Sequence, residues 1–340
     1  MRGESPNVEV NMITFWKQQN GSFQQIQKSE ENCLIKVVAP DADEFDFLVN
    51  TLGLDIDLIH DILDIDEVAR IDKENGTTAI IMRIPLYTPT EEIPFRTIPL
   101  GIIFHKSYML TICLHDSAIL DDILSNKIRN VTMTNFTDYI LNIFNRSAYY
   151  FLKHLKEINR RTYVVERNLR KSVENSALIE LLAMEKSLVY FTTSLQGNQY
   201  LLDKFPRLAQ LYLDAEETDF LEEVQNDIKQ ALEMSNIYSN ILSGMMDAFA
   251  SVISNNLNVV IKQLTFISLI LMIPTLIVST YGMNINLPFQ ESPIAFAIIM
   301  GVSAILSVTG ILLFRKSSIT VSRVPRKFFS SNKAVVNKEG

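Results

Sequence analysis

Two stretches of this chain carry no Asp, Glu, Lys, Arg or His: one runs from Gln263 to Gln290, the other from Ser292 to Phe314. The chain as a whole is 21% charged, so neither gap is an accident of composition. Each exceeds the roughly 20 residues that cross a hydrocarbon core. A charged side chain at mid-bilayer costs roughly 2.5–3.5 kcal/mol on insertion scales, which explains why such runs exclude charge. They read as two membrane-spanning helices over residues 257–281 and 294–314. Pro274 falls inside the first; a membrane helix tolerates proline because its neighbours re-satisfy the freed backbone groups. The alternative is a buried hairpin of a soluble protein.

Basic residues set the expected orientation. Arg315, Lys316, Arg323, Arg326, Lys327, Lys333 and Lys338 follow the second run, whereas the segment between the runs carries only Glu291. The positive-inside rule therefore puts both termini in the cytoplasm and the short connection outside. "MRGESPNVEVNMITFWKQQN" at the N-terminus lacks an apolar core, so no signal peptide is expected there. Cys33 and Cys113 lie in apolar stretches and fit neither a disulfide nor a metal motif.

Charge divides by region. Residues 1–262 hold 24 Lys and Arg against 37 Asp and Glu, a net of −13, while residues 291–340 hold seven against two, a net of +5. An acidic domain argues against nucleic acid as a partner and suits cations.

Up to about residue 130 the pattern is mixed. "CLIKVVAP", "TTAIIMRIPLY", "TIPLGIIFH" and "YMLTICLH" read as strands, and Glu74-Asn75-Gly76 as a turn. Phe45, Leu48 and Leu52, then Leu58, Ile59 and Ile62, recur at helical spacing between the first two strands. Interleaved strands and helices predict an α/β or α+β domain with its sheet covered by helices. Residues 131–256 read as a stalk of long helices. Residues 257–281 form the first span, 282–293 an outer loop, 294–314 the second span and 315–340 a basic cytoplasmic tail. One helix from about residue 218 to 281 would measure on the order of 95 Å at 1.5 Å per residue.

Two stripes run along that helix. Val224, Ile228, Ala231, Ser235, Tyr238, Leu242, Met245, Phe249 and Val252 follow alternating steps of four and three, the spacing of a packing seam. Asp247, Ser251, Ser254, Asn258, Ile261, Thr265, Ser268, Met272, Thr275 and Ser279 follow the same steps and stay mostly polar into the membrane. Polar groups at that depth face protein or a water-filled cavity, and association around this stripe would line a pore with it. Singly, Ser and Thr can instead bond back to the i−4 carbonyl.

"YGMN" at 281–284, directly after the first span, resembles the signature of the CorA family of divalent-cation channels. "SGMMDAFASVISNNLNVVIKQLT" resembles that family's stalk-to-pore sequence, and "GLDIDLIHDILDIDEVARID" its N-terminal helix and linker. The resemblance implies a homopentamer with a cytoplasmic funnel, whose stalk helix continues into a pore-lining first span. It implies inward passage of Mg²⁺, with Co²⁺ and Ni²⁺ as alternatives, across the cell membrane, with no cofactor beyond the transported and regulatory ion. Gly282, Met283 and Asn284 would form the outer selectivity ring. Asn258, Ile261, Leu264, Met272 and Thr275 would line the pore, with Asp247 at its inner mouth; the spacing stripe adds Ser268 and has Thr265 where the resemblance has Leu264. Asp61 and Glu223 would bind regulatory Mg²⁺ between neighbouring subunits and hold the closed state, Glu223 standing where a representative has Asp. Mg²⁺ sheds water reluctantly, so a neutral Asn284 ring suits an ion that keeps its waters, and a carboxylate ring would release it more slowly. The chain departs from the family after the tripeptide, where "INLPFQESP" replaces an acidic "MPEL"-like loop, and at Pro274, which lies one place later than in a representative.

"HDILD" at 60–64 and "HDSAILDD" at 115–122 superficially resemble hydrolase motifs. His60, His105, His115 and His154 show no zinc spacing, and there is no Gly-rich phosphate loop, so no enzyme is expected. Two rivals stand beside the Mg²⁺ channel. One is a Zn²⁺ transporter of the same fold, which tends to carry valine where this chain has Met283. The other is a membrane-anchored helical scaffold that conducts nothing.

Overall fold

A computed structural model describes residues 13–74, 77–105, 108–128, 131, 135–169, 175–208, 213–283 and 293–321. The chain divides into two units, Met1–Ala248 and Phe249–Gly340.

The first unit is built on a seven-stranded sheet. Its strands are β1 (Ile13–Gln19), β2 (Ser22–Ile26), β3 (Cys33–Val38), β4 (Arg70–Glu74), β5 (Thr77–Tyr87), β6 (Phe95–His105) and β7 (Tyr108–Cys113). They lie in the order β2-β1-β3-β7-β6-β5-β4. β3 and β7 run parallel, with Cys33 opposite Tyr108 and Val38 opposite Cys113, and the other neighbouring pairs are antiparallel. The four strands expected from β-branched runs are β3, β5, β6 and β7. Three more are present: β1, β2 and the short polar β4.

Alternation along the strands gives the sheet two covered faces. On one face Ile35, Val37, Ala79, Ile81, Ile103 and Ile112 pack with Leu48, Ile59 and Ile62. Leu48 belongs to Phe47–Thr51, the π-helical continuation of helix α1 (Ala42–Asp46), and Ile59 and Ile62 to helix α2 (Ile56–Leu63). Asp41 caps α1 with a reciprocal capping box to Glu44, and Asp55 caps α2 by accepting from the Asp57 N–H. Gly101 of β6 is where α2 meets the sheet: a Cβ there would collide with the Ile62 side chain.

Helices α3 (Ala118–Leu124), α4 (Phe136–Leu169) and α5 (Asn175–Leu208) complete the layers, α4 and α5 packing on β5. Phe151 meets Phe191 edge to face at 5.0 Å, and Phe191 meets Phe95 of β6 at 6.5 Å, which ties the two long helices to the sheet. Asn198 of α5, fully buried, accepts from the Arg83 N–H at 2.9 Å and donates to the Arg83 carbonyl at 2.7 Å. It stands in for a strand partner beyond Ile81, where the β4 pairing stops.

Helix α6 runs from Ala215 to Tyr281, 67 residues without interruption. Along the first unit it lies antiparallel to α5. The Ser235 and Thr192 hydroxyls are 2.9 Å apart, Ser243 donates to Glu185 at 3.0 Å, and Gln225 donates to the Leu202 carbonyl. Val224, Ile228, Ala231 and Ser235 are fully buried and Leu242 nearly so, which makes the first stripe a packing seam over that length. Val252, at its far end, is exposed.

In the second unit α6 continues to Tyr281, and helix α7 spans Ala295–Val321. α6 is long and apolar enough to cross a membrane, whereas the apolar part of α7, Phe296–Leu312, is shorter.

Candidate ion pathway and regulatory acids

The polar stripe lies on α6. Asp247, Asn258, Ile261, Leu264, Ser268, Met272 and Thr275 are all exposed on the single chain, Leu264 at 64% and Met272 at 62%. Large apolar side chains exposed to that extent require either lipid or a second protein surface.

The hydroxyls of the stripe behave differently from its amide. Thr265 donates to the Ile261 carbonyl at 2.8 Å, Ser268 to Leu264 at 3.0 Å and Thr275 to Leu271 at 2.7 Å. Thr280 does the same to Leu276 at 2.8 Å. Each hydroxyl hydrogen is thus satisfied within the helix, and only oxygen lone pairs are left to face outward. Polarity at these positions does not by itself demand a water-filled cavity. Asn258 differs, because among the described residues nothing hydrogen-bonds its side chain.

Pro274 is accommodated inside α6. It withholds the amide donor from the Ile270 carbonyl, one turn below, which is where the helix is free to bend. The helix then closes at Gly282, whose N–H reaches the Val278 carbonyl at 3.0 Å and the Ser279 carbonyl at 3.2 Å, while the Met283 N–H reaches Thr280 at 3.3 Å. A Cβ on Gly282 would meet those two carbonyls at an ordinary 3.5 Å. This chain's own backbone therefore does not require glycine there. Met283 is 53% exposed. Asn284, the third member of the expected ring, lies outside the described residues, as do Glu291 and the basic residues beyond Val321.

The two acids expected to regulate sit on separate elements. Asp61 is on α2 and Glu223 is exposed near the start of α6. Asp61 Oδ2 accepts from Arg70 Nη2 at 2.7 Å, and its side chain stays 46% exposed. Arg70, the first residue of β4, also pairs with Glu67 and, at 2.6 Å, with Asp72. Asp55, Asp57, Asp61, Arg70 and Asp72 border a cavity of about 450 Å³. Among the described residues no group of three or more His, Cys, Asp or Glu converges to hold a metal ion.

Arg83 fixes the linker that joins α2 to β4. It donates to the Ile65 carbonyl at 2.5 Å, to Glu67 at 2.7 Å and to Thr97 at 2.9 Å. Neither Arg70 nor Arg83 was expected from the sequence. Both act across an irregular linker, where no periodicity relates them to Asp61.

The family model for the CorA-like Mg²⁺ transporter protein matches residues 29–316. The chain belongs to that family. The CorA-like family is one of transporters, which sets it apart from the enzymes. The cobalt/magnesium transport protein CorA of Methanocaldococcus jannaschii is 26% identical over 285 residues, covering 82% of this chain and 88% of the relative. The protein of the same name from Thermotoga maritima is 23% identical over 163 residues, 48% of this chain and 46% of the relative. The complete structure of the CorA magnesium transporter from M. jannaschii shares the fold, with a TM-score of 0.74 at 24% identity, covering 90% of this chain and 98% of that one.

The fold also explains the two misleading histidine motifs of this CorA-family chain. In "HDILD", His60 lies against the Phe45 ring at 5.1 Å and Asp61 is taken by Arg70. In "HDSAILDD", Asp116 and Asp121 share the Lys36 ammonium at 2.6 and 2.7 Å. Buried Asp122 takes Lys127 and Tyr150 at 2.7 Å each, and Arg146. Burial alone would raise the Asp122 carboxyl, but hydrogen bonds from Lys127, Tyr150 and Arg146 outweigh it and hold it down to about 2. These acids are spent on holding α3 and α4 to the sheet.

Proposed function

We propose that this chain assembles, as a pentamer in the cell membrane, into a channel that passes hydrated Mg²⁺ inward, with Co²⁺ and Ni²⁺ as alternative cargo. The observation that carries the reading is the helix α6, which remains uncharged from Gln263 to its end at Tyr281 and carries its exposed polar stripe up to Ser279. The M. jannaschii and T. maritima relatives are both named as cobalt/magnesium transport proteins, which supports the choice of ion.

In this reading residues 257–281 line the pore and 294–314 form the second span, with both termini in the cytoplasm. Hydroxyls that have already given their hydrogen to the helix present lone pairs to the waters around a cation, which is the polarity a hydrated Mg²⁺ needs. Ile261, Leu264 and Met272 form apolar collars that close by dewetting. Gly282, Met283 and Asn284 form the outer ring, where five side-chain amides accept hydrogen bonds from the ion's waters. Glycine at 282 then serves close approach between subunits.

Closure is proposed to come from Mg²⁺ bound between Asp61 of one subunit and Glu223 of the next. A divalent ion there favours the closed arrangement in proportion to its differential affinity for it, and depletion of the ion releases the gate. The test is Mg²⁺ influx through the purified chain, and its loss in Asn284→Ala with assembly unchanged. Normal influx in that variant overturns the ring.

A further inference from the structure

A cluster of cations lies on α4, an element that carries neither the stripe nor the regulatory acids. A groove of about 680 Å³ opens where Tyr87 and Phe95, at the paired ends of β5 and β6, meet α4. That volume is within the range of roughly 300–1,000 Å³ typical of small-molecule sites.

Four cations line it, Lys153, Lys156, Arg160 and Arg161, against one carboxylate, Glu157, a local net of +3 (4 − 1) in a region of net −13. Glu157 is fully engaged: it accepts from Arg160 Nε and Nη2 at 2.8 Å each and from Arg161 Nε at 2.9 Å. Those hydrogen bonds, from Arg160 and then Arg161, hold its carboxyl at about 2, so it stays anionic and committed. Lys153 and Lys156 have no ion-pair partner among the described residues.

The floor is aromatic. Tyr87 stacks on Phe95 at 4.8 Å and remains 37% exposed, with the Arg161 guanidinium 5.4 Å from its ring centre and donating to its hydroxyl at 2.6 Å. His154 lies 5.9 Å from Tyr87 and 5.5 Å from Phe95. Burial, then Lys153, lowers its pKa to about 4, so at neutral pH it adds an uncharged ring with a hydrogen-bonding edge.

The geometry points to a binding site for a phosphate-bearing aromatic ligand of the nucleoside triphosphate class. Lys153 and Lys156, with the part of Arg160 that Glu157 leaves unused, meet the phosphates, and the exposed part of the Tyr87 ring takes the base. Ammonium and guanidinium groups bind phosphate oxygens by charge-assisted hydrogen bonds, and a partly exposed aromatic ring accepts any base by stacking. A purely electrostatic patch would need no such floor and no concavity.

Isothermal titration of the purified full chain in neutral detergent, with divalent ions chelated, tests this directly. The probes are ATP and inorganic tripolyphosphate. ATP should bind saturably with one site per chain, and at least about tenfold more weakly in Lys153→Glu/Lys156→Glu, two exposed positions. Tyr87→Leu should weaken ATP at least about threefold and leave tripolyphosphate unchanged, and tripolyphosphate should bind wild type about tenfold more weakly than ATP. Absence of saturable ATP binding at millimolar concentration overturns the site. So does binding that the double lysine variant leaves intact, or tripolyphosphate affinity equal to that of ATP. Ion flux is not the readout, so the result stands apart from that of the channel test.

Discussion

Arg70 Nη2 lies 2.7 Å from Asp61 Oδ2, so the acid proposed to bind regulatory Mg²⁺ already has a cation partner on its own chain. The same guanidinium serves Glu67 and Asp72, leaving three carboxylates on one positive charge. An incoming divalent ion competes with Arg70 for Asp61. Because Asp61 is half-exposed, its pair with Arg70 is worth at most about 1 kcal/mol.

Removing the competitor should therefore sharpen regulation. In Arg70→Gln the Mg²⁺ concentration for half-maximal closure should fall about three- to fivefold, the equivalent of that pair energy. Asp61→Ala should move it the opposite way. Titration of flux against inner-side Mg²⁺ reads both, and an unchanged midpoint in Arg70→Gln contradicts competition at Asp61.

The back-bonded hydroxyls allow the stripe to be tested without disturbing the helix. Thr275→Val removes a hydroxyl whose hydrogen already bonds Leu271, and substitutes a side chain of nearly the same shape. Assembly on size exclusion should be unchanged while Mg²⁺ flux falls, by about tenfold if the lost oxygen contacts the ion's waters at about 1.4 kcal/mol. Undiminished flux puts Thr275 against lipid or another helix.

Gly101 links the sheet to the regulatory helix. Gly101→Ala forces its Cβ into Ile62, on α2 beside Asp61. Overpacking of this kind costs about 1–3 kcal/mol. The melting temperature should fall, and Mg²⁺-dependent closure should shift with it as α2 is pushed outward. A variant as stable as wild type would mean that Ile62 moves aside freely.

His154 sets an acid limit on stability. Its folded pKa of about 4 lies below the ordinary 6.5, so it favours the folded state above 6.5, and that contribution is lost as pH falls from 6.5 towards 4. Asp122, at about 2, keeps its contribution until lower pH still. Unfolding followed between pH 7 and 4 should show a loss that His154→Phe removes, since phenylalanine suits the Tyr87, Phe95 and Phe191 rings around it. An identical slope in the variant contradicts the assignment.

The parts of the molecule that could be read from sequence are those whose burial follows a period. β3, β5, β6 and β7 are apolar because helices cover them, and the seam from Val224 to Leu242 is apolar because α5 does. β4, "RIDKE", is an edge strand held by pairing to β5 rather than by burial, so its composition is that of a loop. Arg70 went unseen with it, and Asp61 was therefore read without its partner. That Asp116, Asp121 and Asp122 are no hydrolase site is legible in the sequence, but what they do instead is not, because Lys36 and Arg146 come from elements that only folding brings near. The stripe on α6 was legible at 3.5-residue spacing, but the turn-to-turn bonds of Thr265, Ser268 and Thr275 depend on rotamers that spacing does not record.

The central claim is that hydrated Mg²⁺ passes through this chain, and the most direct measurement is influx into proteoliposomes made with the purified protein. A fluorescent Mg²⁺ reporter inside, an inward gradient and a divalent-free interior set the open condition. The account predicts influx that cobalt hexammine blocks, since that complex imitates the fully hydrated ion at the ring of Gly282, Met283 and Asn284. No influx of Mg²⁺ or Co²⁺ under these conditions would contradict it and leave a membrane-anchored helical scaffold. Influx of Zn²⁺ alone would contradict it in favour of a Zn²⁺ transporter of the same fold.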